Sequence, residues 1–206
     1  VFQSIDLRIT LFTVVSVLII LLIIYRAPIM ALLPLISAGL AYISASGVVG
    51  LLAKNSGLLV NQQATSIMVV LIFGAGTDYM LFISSRFKEQ LRLGSASDNA
   101  MTETMSRIGP AIFSSAVTTI LAMLVLGLAT LRSFQVLGPV LALGMTFAII
   151  GGLTFIPAIL SLLGRTAYWP TKIEVSSEHS ALTTGKGFWA KVGSWVGKRP
   201  LFTVVV

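Results

Sequence analysis

The chain has 206 residues, of which 56% are hydrophobic and 10% are charged, and its mean hydropathy is +0.97. Soluble domains are roughly 45–50% apolar and about 25% charged, so this composition excludes a soluble enzyme domain, a disordered tail and a fibrous repeat. The absence of cysteine excludes a disulfide framework and a thiolate metal site. The net charge of +7 comes from residues between long apolar runs, so membrane topology explains it better than a nucleic-acid partner.

Five apolar runs are long enough, or nearly so, to cross a bilayer, which takes roughly 20 residues of helix. They are longer than the strands of membrane barrels, and none alternates apolar with polar residues. The predicted fold class is therefore an all-α integral membrane protein, with a bundle of transmembrane helices over residues 9–164. The five predicted helices cover residues 9–25, 29–53, 66–84, 111–131 and 134–163.

The polar segment 86–109 is predicted to continue the third helix, break at residues 94–97 and form a short helix capped by Asp98. Pro110 is predicted to stand just before the fourth helix, where its missing N–H costs nothing. A sixth apolar run begins at Leu201 and stops six residues later, and the sequence starts at Val1 without a methionine. These ends predict a segment of a longer protein, because a small five-helix protein would leave LFTVVV unexplained.

The distribution of basic residues predicts the orientation in the membrane. Eleven of the 14 Lys and Arg residues fall on one side of the predicted spans, and the other side holds Arg8, Lys54 and Arg132. The positive-inside rule places the first side in the cytoplasm, with residues 86–109 and 165–199 there and Val1 outside.

The predicted cytoplasmic linker, residues 165–199, ends in an aromatic and basic segment. Trp189 and Trp195 recur at helical spacing with lysines such as Lys191 beside them. This pattern predicts an amphipathic helix lying on the inner leaflet and contacting membrane lipids, with a solvated linker as the alternative. His179 is predicted to be a surface histidine.

Asp78 is the one carboxylate within the five predicted spans. It lies eight residues before Arg86, or about 12 Å from the predicted cytoplasmic end and close to the middle of the bilayer. A carboxylate there costs roughly 2.5–3.5 kcal/mol, so a site that binds protons or ions accounts for it better than helix packing does. A packing hydrogen bond from a neutral Asp78 is the alternative.

The neighbours of Asp78 offer space and hydroxyl groups. Gly74 and Ala75 share its helix face and leave room for another helix. Tyr79 points about 100° away and could bond an acid on another helix. Four hydroxyl residues at comparable depth on the fourth helix could reach Asp78 or bond their own backbone: Ser114, Ser115, Thr118 and Thr119.

Small residues also line the second and fifth helices and predict close helix packing. They are Gly39, Ser46, Gly47 and Gly50, then Gly144, Ala148, Gly151 and Gly152. The sequence offers no nucleotide loop, nucleophile–base pair or metal cluster, so we predict no enzyme, metal or organic cofactor. A passive channel is the least favoured function, because most spans carry a single polar patch.

The stretch GAGTDYMLFISSRFKEQL at residues 74–91 resembles the fourth transmembrane helix of MmpL-type transporters of the resistance–nodulation–division (RND) superfamily. IGPAIFSSAVTT at 108–119 resembles the entry to that family's fifth helix, and YRAPIMALLPL at 25–35 resembles its second-to-third helix turn. The resemblance implies that the five spans are helices two to six of a two-fold repeat transporter. Residues 1–8 would then end an extracytoplasmic domain, and residues 200–206 would begin helix seven.

The resemblance also implies a function and its residues. Asp78 and Tyr79 match the pair that relays protons, with counterparts in the other half of the transporter, and Phe82 matches an aromatic position where inhibitors of family members lodge. The expected activity is proton-driven export of lipids or other amphipathic molecules across a bacterial inner membrane, with protons as the coupling ion. The alternative is a related membrane module without export activity, either a translocase accessory or a sterol- or lipid-sensing domain.

Overall fold

The computed structural model describes Phe12, Val15, Ser16 and Ile173 together with residues 18–56 and 60–171. These described residues are helical or lie in short connections, and no strand occurs among them, which confirms the all-α fold class. Residues 1–8 and 200–206, and the predicted membrane-surface residues Trp189, Lys191 and Trp195, lie outside the described part.

The helices follow one another through short connections. The first helix, α1, is described without interruption over residues 18–25. It is followed by α2 (Pro28–Ser56), α3 (Gln62–Arg92), α4 (Ser97–Leu126) and α5 (Arg132–Ile150). A π-helical segment, Gly151–Phe155, joins α5 to α6 (Ile156–Leu163), and a 3-10 helix at Gly164–Tyr168 follows. Four helical stretches in the described part are long and apolar enough to cross a membrane: α2, α3, α4, and the continuous run from Arg132 to Tyr168.

The observed α3 helix is longer than the predicted apolar span, because polar residues extend the helix at both of its ends. The α3 helix begins at Gln62 because the Asn61 side chain accepts a hydrogen bond from the Ala64 N–H at 2.8 Å, a cap that the hydropathy pattern does not reveal. At its other end α3 continues to Arg92 and α4 begins at Ser97, which confirms the predicted continuation of the third helix beyond its apolar span and the break that follows it.

The predicted short helix capped by Asp98 is wrong. Ala96 is the N-cap residue of α4, and Asp98 lies in the first turn of the same helix that crosses the bundle. Its carboxylate instead accepts a hydrogen bond from the Ser161 hydroxyl at 2.8 Å. Pro110 lies inside α4 and not before it. A proline is tolerated within a membrane helix because neighbouring groups can compensate for the backbone bond it removes.

The core consists of two buried clusters that share α3 and α5. One cluster includes Met80, Ile83 and Phe87 of α3 with Met145 and Ile149 of α5. The other packs α2, α3 and α5 at the opposite end, around Ala45, Met68 and Val140. The α3 and α5 helices are therefore the central pair of the described bundle.

Glycines of the α5 run allow this close packing. A Cβ on Gly144 would lie 2.6 Å from Met68 Cγ, and a Cβ on Gly151 would lie 3.0 Å from Ser37 Oγ. These contacts confirm the predicted packing role for the fifth-helix glycines. Gly39, Gly47 and Gly50 contact no other described helix, because no atom beyond their own stretch of helix backbone lies within 4 Å of a Cβ built at any of them, so packing at these three glycines stays a prediction.

The first residues of the predicted linker, 165–168, belong to the bundle. Tyr168 is buried, and its hydroxyl donates to the Ser84 carbonyl oxygen at 2.6 Å. The Arg165 guanidinium donates to the Leu91 carbonyl oxygen at 3.2 Å. These bonds fix the 3-10 helix against the end of α3, which hydropathy alone does not indicate.

Replacing Gly164 with alanine is expected to destabilise the full-length protein by about 1–2 kcal/mol, because Gly164 has a φ of +54° that an L side chain rarely adopts. The new Cβ would also meet Ser97 Oγ. Thermal unfolding of the detergent-solubilised protein measures the effect. Adding Ser97→Ala should restore only the part due to the steric contact. Full recovery in the double variant would contradict a backbone cost at Gly164.

Candidate functional site

Asp78 lies near the middle of α3, far from both polar ends of that helix. Its side chain is exposed in this chain, and it makes no hydrogen bond or ion pair with any described residue. The apolar environment of a membrane would make such an isolated carboxylate costly. The packing of the described helices therefore gives no structural reason for an acid at this position.

The exposed residues around Asp78 form one face of α3, which we call the Asp78 face and define as Gly74, Asp78, Leu81, Phe82 and Ser85. The Phe82 side chain is 61% exposed, and no described atom lies within 4 Å of a Cβ built at Gly74. This face therefore has the space for a further helix that the sequence predicted. Ala75, predicted on the same face, is only partly exposed and packs against both core clusters.

Tyr79 points in a different direction from Asp78, as predicted from their adjacent positions. The side chain is 7% exposed and lies inside the bundle, where its ring packs on Gly152 of the π-helical segment. Its hydroxyl lies 4.0 Å from the Met145 sulfur, a weak hydrogen-bond acceptor. Asp78 and Tyr79 are therefore adjacent in sequence, but their side chains do not lie on the same surface of the described structure.

Gly152 and Met145 are neighbours of Tyr79 that the sequence analysis did not assign to the site. A Cβ on Gly152 would lie 3.0 Å from Tyr79 Cδ2, so only glycine lets the ring approach this closely. The π-helical segment that contains it interrupts the α-helical run, and such segments are frequent at functional sites. In the sequence, the adjacent glycines at 151 and 152 predicted close helix packing but did not indicate that Gly152 lies beside Tyr79.

Three of the four hydroxyl residues predicted near Asp78 on α4, namely Ser114, Thr118 and Thr119, bond the backbone of their own helix, whereas the Ser115 hydroxyl bonds no described residue. Thr118 and Thr119 donate to the Ser115 carbonyl oxygen at 2.8 Å and 3.0 Å. None of the three residues bonds Asp78 in the described structure. This is the backbone role that the sequence left open as an alternative.

No group of three or more His, Cys, Asp or Glu side chains in the described part of the chain is placed to hold a metal ion. What the arrangement offers chemically is one titratable carboxyl on an open helix face and, behind it, a phenol whose hydroxyl contacts only a weak acceptor. A carboxyl of this kind can bind and release a proton, and a phenol can donate a hydrogen bond to an acid.

Comparison with known proteins shows a match to the model of the MMPL family over residues 1–203. The chain is 41% identical over 199 residues to the Streptomyces coelicolor protein ActII-3, with 97% of this chain and 28% of that protein covered. It is 35% identical over 216 residues to the apo-petrobactin exporter of Bacillus anthracis, with 100% of this chain and 29% of the relative covered. It is also 38% identical over 165 residues to a Mycobacterium tuberculosis protein named probable transport protein MmpL12, with 80% and 14% covered. The chain thus spans less than a third of the length of these relatives.

Proposed function

The chain belongs to the MMPL family, and from that premise we propose that it is part of a proton-driven membrane exporter in which Asp78 carries the transported proton. The observation that carries the proposal is the isolation of Asp78, which lies mid-helix on an open face with no partner in the described chain. A carboxyl that only stabilised packing would need a partner within the bundle. The four apolar helices and the names of the relatives support a multi-pass membrane transporter.

Asp78 and Tyr79 form one half of the proposed relay, and the remaining part of the same transporter supplies the other half. Among the described residues the Tyr79 hydroxyl bonds only the Met145 sulfur, a weak acceptor, so it is available to donate to a stronger acceptor that reaches it inside the bundle. The open space at Gly74 and the exposed Phe82 ring give a second helix room to approach Asp78. In this arrangement protons are the coupling ion, and no organic cofactor takes part.

The proposed cargo is a lipid or another amphipathic molecule, and the proposed location is the bacterial plasma membrane. The name of the Bacillus anthracis relative as an apo-petrobactin exporter supports outward transport of a small molecule. Basic residues lie near the end of α3 and in the 3-10 helix, among them Arg86, Arg92 and Arg165. They support a cytoplasmic position for this end of the bundle.

Deleting the gene and restoring the full-length protein tests export and identifies the cargo. Secreted and envelope lipids and small amphipathic molecules would be compared by mass spectrometry in the parent, deleted and restored strains. We expect one class of molecule to disappear from the outside, accumulate inside and return on restoration. Unchanged profiles in the deleted strain would contradict an export function.

Replacing Tyr79 with phenylalanine should leave stability almost unchanged and reduce transport at least about tenfold. Within the described structure the only hydrogen bond of this hydroxyl is the weak one to the Met145 sulfur, so its removal costs little stability, whereas a relay loses a hydrogen-bond donor. Thermal unfolding and cargo export are measured on the same full-length variant. Normal export would remove Tyr79 from the relay without affecting the proposal for Asp78.

A further inference from the structure

A small cavity with a mixed polar and apolar lining lies toward the end of α3 away from the Asn61 cap, next to the Asp78 face, with which it shares Leu81 and Ser85. Its volume is about 220 Å³. The described residues that line it come from α1, α3 and the 3-10 helix: Ile24, Tyr25, Leu81, Ser84, Ser85, Lys88 and Tyr168. The lining includes one cation and four hydroxyl side chains, and it includes no Asp or Glu.

Two of these hydroxyl groups form the wall of the cavity and are already bonded. The Tyr168 hydroxyl donates to the Ser84 carbonyl oxygen at 2.6 Å, and the Ser84 hydroxyl donates to the Leu81 carbonyl oxygen at 3.2 Å. The wall is therefore held in place by hydrogen bonds within the chain, so the cavity does not depend on a ligand for its shape.

The remaining polar groups are free to donate to a ligand. The Lys88 ammonium lies 5.4 Å above the Tyr168 ring and forms no salt bridge with a described residue, whereas the nearby Arg86 is paired with Glu89. The Tyr25 hydroxyl is buried and interacts with the Ser84 side chain, but it makes no hydrogen bond of standard geometry with a described residue. Ser85 is exposed and makes no hydrogen bond within the described structure. A lysine and two hydroxyl groups supply donors, and no carboxylate is among the residues that line the cavity, which suits an anion.

The apolar part of the lining indicates the kind of molecule that carries the anion. Ile24 is 55% exposed and Leu81 is 40% exposed, and both lie beside the donors. The cavity is at the end of a membrane-spanning helix, where lipid headgroups lie and a lysine can extend toward them. Headgroups occur at both membrane surfaces, so this argument does not depend on the orientation of the chain.

We propose that the cavity formed by Tyr25, Ser85 and Lys88 binds the phosphodiester headgroup of an anionic phospholipid, with Ile24 and Leu81 contacting the glycerol and upper acyl carbons. Lys88 pairs with the phosphate, and the two hydroxyl groups donate to its free oxygens. Asp78 does not line the cavity and the lipid is not the coupling ion, so lipid binding and proton coupling can be lost separately.

Native mass spectrometry of the purified full-length protein tests this binding, with phosphatidylglycerol, phosphatidylcholine or inorganic phosphate added as probe. We expect phosphatidylglycerol to bind at least about tenfold more tightly than phosphatidylcholine, and inorganic phosphate at equal concentration not to displace it. Lys88→Gln should weaken phosphatidylglycerol binding by about tenfold or more, the scale of a lost charge-assisted hydrogen bond. Tyr25→Phe should weaken it severalfold without changing charge or side-chain shape.

Arg92→Gln is the matched control. It also removes one positive charge from α3, one turn beyond Lys88, and Arg92 does not line the cavity. Arg92→Gln should change the affinity for phosphatidylglycerol by no more than about twofold. Equal losses for Lys88→Gln and Arg92→Gln would show nonspecific surface attraction and overturn the proposal. Displacement by inorganic phosphate, or equal binding of phosphatidylcholine, would also overturn it. A photo-crosslinker placed at Ile24, which lines the cavity but is not part of the Asp78 face, should label lipid, and labelling of another part of the polypeptide instead would show that protein fills the cavity and would overturn the proposal.

Discussion

Replacing Asp78 with asparagine in the full-length protein is expected to reduce export to the level of a strain that lacks the gene, a fall of at least about 100-fold. Asparagine has nearly the same shape but cannot carry a proton, and loss of a proton-transfer group typically costs two or more orders of magnitude. Asp78 makes no hydrogen bond or ion pair with a described residue, so the change removes no such contact within this bundle. Export of the identified cargo at matched membrane expression measures the effect.

Asp98→Asn is the control for this variant. Asp98 Oδ1 accepts a hydrogen bond from the Ser161 hydroxyl, and the amide oxygen of asparagine can accept the same bond. The control therefore removes one carboxylate charge outside the relay and should export normally. Equal export by both variants would make Asp78 a packing residue. Equal loss in both would point to a general effect of removing an acid.

The second large effect is expected at Gly138, where α5 passes the end of α4. A Cβ on Gly138 would lie 2.5 Å from the Met123 carbonyl oxygen and would also meet the Gly127 backbone nitrogen. Backbone atoms at such a crossing cannot rotate away as a side chain can. Gly138→Ala should therefore destabilise the full-length protein by about 3 kcal/mol, the upper end of the usual range for overpacking.

Thermal unfolding of the detergent-solubilised protein measures this effect, with Gly50→Ala in α2 as the control. No described atom lies within 4 Å of a Cβ built at Gly50, and alanine is the better helix former by about 0.5–1 kcal/mol. The control should be neutral or slightly stabilising. An unfolding midpoint for Gly138→Ala equal to that of the unaltered protein would contradict the close crossing of α4 and α5.

The sequence was sufficient to predict the features that depend on whether lipid or water surrounds a helix. A bilayer demands long apolar runs, so α2 to α5 could be recognised from composition, and Asp78 was conspicuous because a carboxylate is costly there. The helix ends were less predictable. Asn61 caps α3 through one side-chain bond, while Pro110 lies within a continuous α4, and neither effect changes hydropathy.

The surroundings of Tyr79 could not be predicted because they depend on how α3 is rotated against α5. Helical periodicity separates Tyr79 from Asp78 by about 100° but does not say which of them faces the bundle. Packing decides this, since Gly152 leaves room for the Tyr79 ring, and the π-helical segment places that glycine beside it. The cavity beside Lys88 could not be predicted either, because the residues that line it come from three separate segments of the chain.

Proton flux into proteoliposomes that contain the purified full-length protein tests the central claim most directly. A pH-sensitive dye inside the vesicles would report acidification after a proton gradient is imposed, with and without the identified cargo. We predict cargo-dependent acidification by the unaltered protein and by Asp98→Asn, and acidification at the level of protein-free vesicles for Asp78→Asn. Cargo-dependent flux through Asp78→Asn at the rate of the unaltered protein would show that the proton does not pass through Asp78.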